Sequence, residues 1–110
     1  MKKFVTLLTL FALLLVGCGQ ETEDVTVKIG VSPAPHAAFA EVAKEKLNEV
    51  GIDLEIVEYT DYITPNLALA QGDVDINFFQ HTPYLESFAK ERGLDLEVLG
   101  GVHIEPMAVF

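Results

Sequence analysis

The chain has a single cysteine and few cations, with 7 Lys and Arg against 17 Asp and Glu in 110 residues and a formal net charge of -10. One cysteine excludes an intrachain disulfide. The scarcity of cations excludes a basic stripe, so nucleic acid and anionic headgroups are poor partners. Two of the 7 basic residues, Lys2 and Lys3, open the chain, leaving 5 against 17 acids and a charge of -12 for everything after them. There is no G-x-S-x-G, no phosphate-binding loop and no H-E-x-x-H, and the paired acids of "GDVD" and "LDLE" fall on the wet phase of strands. No catalytic machinery is legible, and the chain reads as a non-enzyme. Internal repeats and low-complexity tracts are also missing.

Half of the residues are hydrophobic, which with this length sets an upper bound of one globular domain. The start is separate from it. Met1-Lys2-Lys3 is a positive n-region, and Phe4 to Val16 is free of charge but too short for a typical spanning helix. Residues 1–17 therefore read as a signal peptide. Its end, "LVGC", resembles the bacterial lipobox, in which the cysteine, here Cys18, is acylated and becomes the new N-terminus. The other reading of Cys18 is a free thiol behind an ordinary signal peptide. Lipidation places the domain outside the cytoplasm, on the membrane but in water, held by acyl chains worth about 0.8 kcal/mol per buried CH₂. Residues 18–24 are then the lipidated cysteine and an acidic tether, since "GQETED" has three acids and no apolar side chain.

From Val25 the pattern alternates. "VTVKIGVS" predicts a strand ended by Ser32-Pro33-Ala34-Pro35, and "HAAFAEVAKEKLNEVG" a helix with Phe39, Val42, Ala43, Leu47 and Val50 inward. "IDLEIVEY" predicts a second strand. Thr64-Pro65 and Thr82-Pro83 each read as an N-cap followed by a first helical residue, opening "NLALAQG" and "YLESFAKERG" on either side of a third strand over 74–79. "LDLEVLGGVHI" and "EPMAVF" read as two further extended segments. Strand and helix alternation over short links predicts an α/β fold with a mainly parallel sheet and helices on both faces. Because "PMAVF" stops inside an apolar stretch, residues 25–110 read as a truncated domain.

The segment "FFQHTPYLESF" gathers Phe79, His81 and Tyr84 where the third strand gives way to a helix. The carboxyl ends of parallel strands are where open α/β sheets bind ligands, and a helix N-terminus favours an anionic group. Aromatic rings, an imidazole and a helix start together suit a small amphiphilic zwitterion. The alternative makes Phe79 and Tyr84 core residues and His81 a hydrogen-bonded loop residue; periodicity admits both. A metal site would need His36, His81 and His103 to converge, with Asp75 or Glu105, and none of these has the close spacing of a known ligand pair. No metal and no cofactor is expected.

"EYTDYITPNLALAQGDVDINFFQHTPYLESF" resembles the signature of the NlpA lipoprotein family, extracytoplasmic receptors of bacterial methionine ABC importers: D-Y-x-x-P-N-x-A-L, G-D-x-D-x-N-x-F-Q-H and P-Y-L recur with this spacing. The resemblance implies a type II periplasmic-binding-protein-like fold of two α/β lobes closing by a hinge, of which this chain would be most of the first. It implies methionine, L or D, as ligand, with Tyr62, Phe79, His81 and Tyr84 at the matching contact positions and Asn66 and Asn77 in scaffold hydrogen bonds. It also implies an ABC permease and ATPase as partners, and a lipid-anchored location on the extracytoplasmic face of the cell membrane. The family fixes the ligand's polar end largely from the second lobe, including an arginine; Arg92, at the far end of its helix, does not supply it. Two other readings are a lipoprotein for another small apolar amino acid or peptide, and a surface lipoprotein without transport.

Overall fold

Alternating β-branched residues form β1 (Val25–Val31), whose odd positions face a helix and whose neighbour on one side is β2 (Ile52–Glu58). The computed structural model describes residues 25–109; the segments read from the sequence as a signal peptide, a lipidated Cys18 and an acidic tether lie outside the described residues. A third strand, β3 (Ile76–Phe78), pairs with the other edge of β1, so the order is β2-β1-β3 and both pairings are parallel. The α/β class and the parallel sheet expected from the sequence are thus observed. Three helices follow the strands: α1 (His36–Asn48), α2 (Thr64–Gln71) and α3 (Thr82–Arg92).

One layer of core lies between α1 and the sheet. Ile29, Val31, Leu54 and Ala40 are buried, with Val27, Ala37, Ala43, Leu47, Ile56, Ile76 and Phe78 packed around them. Small side chains let α1 approach closely, and this changes the expected face: Phe39 and Val42 are 46% and 54% exposed, while the buried positions of the helix are His36 and Ala40. On the other face of the sheet α2 is tied to β3 by the Asn77 side-chain amide, which donates to the Pro65 carbonyl at 2.8 Å. Gly30 sits beneath that bond, where a Cβ would lie 2.5 Å from Asn77 Oδ1.

The third strand is shorter than the expected 74–79. At its start the Asp75 carboxylate accepts the Lys28 N–H at 2.8 Å and the Asp75 N–H donates to the Lys28 carbonyl at 2.9 Å, a side-chain link where a ladder would run. At its end its partner stops, because Val31↔Phe78 is the last pair. Helix starts also differ by one residue from expectation. Thr64 and Thr82 are already helical, the N-cap positions are Ile63 and His81, and neither makes a side-chain cap bond. Asp61 does that work for α2, its Oδ1 accepting the N–H groups of Ile63 at 2.8 Å and Thr64 at 2.7 Å. Gly72 and Gly93 close α2 and α3 with φ of 80° and 64°, the left-handed turn in which a Cβ is costly.

Residues 94–109 form no strand, although two extended segments were expected there. A strand exists by its ladder, and no described strand pairs with them, so Leu99, Ile104 and Met107 are 84%, 89% and 101% exposed. Among the described residues no helix is long and apolar enough to cross a membrane.

Candidate ligand site

Strand order 2-1-3 places a topological switch at the carboxyl ends of β1 and β3: the chain leaves β1 toward β2 on one side and reaches β3 on the other. A crevice opens at such a point in doubly wound sheets. Here a cleft of about 590 Å³ is lined by Phe79 and His81 together with His36, Asn77, Gln80 and His103. That volume is of the size that takes a small molecule.

The four sequence-predicted contact residues divide into two groups. Tyr62 and Phe79 stack nearly parallel, with ring centroids 6.2 Å apart and planes at 10°. Tyr84 joins them by donating its hydroxyl to the Tyr62 carbonyl at 2.7 Å. Within this group Phe79 is 6% exposed and acts as a floor, while Tyr62 is 64% exposed and offers a free face. His81 stands apart at the N-cap of α3, its Nε2 3.8 Å from Glu105 Oε2.

A buried amide network holds these positions. Asn66, fully buried, exchanges two hydrogen bonds with Gln80, Asn66 Nδ2 donating to Gln80 Oε1 at 2.8 Å and Gln80 Nε2 donating to Asn66 Oδ1 at 2.7 Å. The pair fixes the residue before His81 against α2. Asn66 and Asn77 thus have the scaffold role expected of them. Gln80 stands in the F-Q-H signature but has no role assigned from the sequence, since its partner lies 14 residues away. Arg92 is engaged elsewhere, its guanidinium 4.6 Å from the Phe88 ring centroid.

The second group centres on His36. Its Nδ1 is 2.6 Å from Ser32 Oγ, its ring meets Phe78 edge-on at 4.7 Å and lies 5.3 Å from the His103 ring. Burial lowers the His36 pKa below its ordinary value, against the opposing pull of Glu105. Glu105 is lowered chiefly by its hydrogen bond with His103, 2.9 Å long. His36, His103 and Glu105 therefore do converge, which their spacing in the chain did not reveal, whereas Asp75 is held at Lys28.

A family model described as NlpA lipoprotein matches residues 27–110, most of the chain. The chain belongs to the NlpA lipoprotein family. Similar curated members include the membrane lipoprotein TpN32 of Treponema pallidum, 44% identical over 96 residues that cover 87% of this chain and 35% of that protein. The D-methionine-binding lipoprotein MetQ of Escherichia coli K12 is 43% identical over 99 residues, covering 88% of this chain and 36% of MetQ. In three dimensions the chain resembles the crystal structure of lipoprotein Tp32 from Treponema pallidum, with TM-score 0.74 and 45% identity over 76% of this chain and 35% of that one. The NlpA chain described here thus spans a little over a third of the length of these relatives. Of its signature residues, Asn77, Phe79, Gln80 and His81 line the crevice, Asn66 braces Gln80, Tyr62 stacks on Phe79 and Tyr84 bonds the Tyr62 carbonyl.

Proposed function

We propose that this chain is the first lobe of a lipid-anchored solute-binding protein that takes methionine outside the cytoplasm and delivers it to an ABC permease driven by its ATPase. The observation that carries the reading is the Tyr62, Phe79 and Tyr84 cluster at the switch point of a chain 43% identical to a protein named for D-methionine binding. Thioether contacts with aromatic rings contribute about 0.3–1.5 kcal/mol each, so a ring surface of this kind suits a methionine side chain. A methyl or sulfur held between two parallel rings would need roughly 7–8 Å between them. The Tyr62 and Phe79 centroids are 6.2 Å apart, so the thioether belongs on the free face of Tyr62, with Phe79 as support behind it.

In this reading His81, exposed at the start of α3, hydrogen-bonds a polar group of the ligand, and a second lobe supplies the cation for the carboxylate. Cys18 carries the acyl anchor, which keeps the receptor beside the permease. The protein binds and releases its ligand unchanged, with no catalytic step. Calorimetric titration of the intact protein tests the assignment: Tyr62→Ala and Phe79→Ala each weaken methionine binding by more than about 1 kcal/mol, roughly a fivefold rise in Kd. An unchanged Kd in both variants removes the aromatic cluster from the site.

A further inference from the structure

We propose that His36, His103 and Glu105 form a binding site for a divalent transition-metal ion of the zinc class, with an open coordination position on the side facing His81. One donor atom from each residue lies within 4.8 Å of the other two. Tetrahedral zinc with bonds of about 2.0–2.1 Å places its donors roughly 3.3 Å apart. Two of the pairs straddle that spacing, Glu105 Oε1 being 2.9 Å from His103 Nε2 and 3.7 Å from His36 Nε2. Closing on an ion requires movements of about an ångström or less in side chains that end on rotatable bonds.

The donor chemistry agrees with the geometry. Two imidazoles and a carboxylate are a set that zinc accepts with three protein ligands and a fourth position left to water. Ser32 supplies the outer contact that metal-binding histidines use: with its hydroxyl 2.6 Å from Nδ1, His36 is oriented by one nitrogen while Nε2 points at Glu105. At 3.7 Å that Nε2 is beyond hydrogen-bond distance of the carboxylate, although His36 is 7% exposed. A cation between that nitrogen and Glu105 would be a ligand partner to both. Outer support exists at His36 and not at His103, whose Nδ1 has no partner among the described residues, so His36 is the anchor and His103 the residue that closes the site. The acidic chain adds a field that attracts cations.

The site goes beyond methionine binding and uses none of Tyr62, Phe79 and Tyr84. Its test is equilibrium dialysis of the purified, chelator-stripped protein against zinc chloride, with the bound metal counted by mass spectrometry, and a cobalt(II) titration followed by visible absorption. The expected result is one zinc per chain and intense visible cobalt bands of tetrahedral type. Glu105→Gln and His103→Gln, at residues that are not buried, each weaken zinc by tenfold or more, and Ser32→Ala weakens it by about 10–100-fold. Glu41→Gln, on the exposed face of α1, leaves uptake unchanged. Absence of zinc uptake overturns the proposal, and so does uptake that survives both Glu105→Gln and His103→Gln, which is adventitious binding to an acidic surface.

Discussion

Tyr84 illustrates how one atom can link the aromatic cluster to a helix. Its hydroxyl donates to the Tyr62 carbonyl and so joins the first turn of α3 to the loop before α2. Tyr84→Phe removes that bond while keeping the ring. The expected outcome is a several-fold weaker methionine affinity with little change in melting temperature, read by titration and calorimetry together. Asp61 holds the same loop from the other side, and its carboxyl lies below the ordinary 3.8 chiefly because the Thr64 N–H donates to it, with help from the Thr64 hydroxyl and the Ile63 N–H. A depressed carboxylate stabilises the fold above its unfolded pKa, and the contribution disappears as pH falls through the lower folded value. Asp61→Ala therefore lowers the melting temperature at neutral pH, and the gap from wild type closes under strong acid; a gap independent of pH would mean that the charge is irrelevant. Tyr62, Phe79, His81 and Tyr84 could be named from the signature alone. Their partition into an aromatic group and an imidazole group could not, since the Tyr62 and His81 contacts are set by loops that bring residues 22 and 24 positions apart together.

The elements were legible where local chemistry decides them and less so where a partner decides them. Alternation in "VTVKIGV" and left-handed glycines at 72 and 93 fixed a strand and two helix ends without help from the rest of the chain. The length of β3 depends instead on where β1 ends and on the Asp75 carboxylate replacing ladder bonds, neither of which has a periodic signal. The face of α1 was misread for a similar reason: Phe39 is more apolar than Ala40, but close approach of helix to sheet requires the smaller residue. Extended segments over 94–109 have the composition of strands and no described partner to pair with. Gly30 is the most sensitive position at this scale. A Cβ there meets Asn77 Oδ1 at 2.5 Å and the Tyr59 ring at 3.1 Å, so Gly30→Ala must displace the amide that ties β3 to α2. A loss of about 1–3 kcal/mol is expected by denaturant titration, and a neutral result would show that Asn77 can move freely.

At the scale of the molecule, the parallel sheet with order β2-β1-β3 does most to explain function, because a crevice lies at its switch point and the signature residues Asn77, Phe79, Gln80 and His81 line it. The amide pair of Asn66 and Gln80 connects that topology to the site, fixing the turn between β3 and α3 on which His81 and Tyr84 are carried. The central claim is that this crevice is half of a methionine receptor. A thermal-shift panel of the intact protein with L-methionine, D-methionine, leucine and glycine tests it most directly. A ligand at 100-fold excess over its Kd stabilises the folded state by about 2.7 kcal/mol. A marked shift with at least one methionine enantiomer and none with glycine is the predicted result; no shift with either enantiomer, or the same shift with all four amino acids, would contradict the claim.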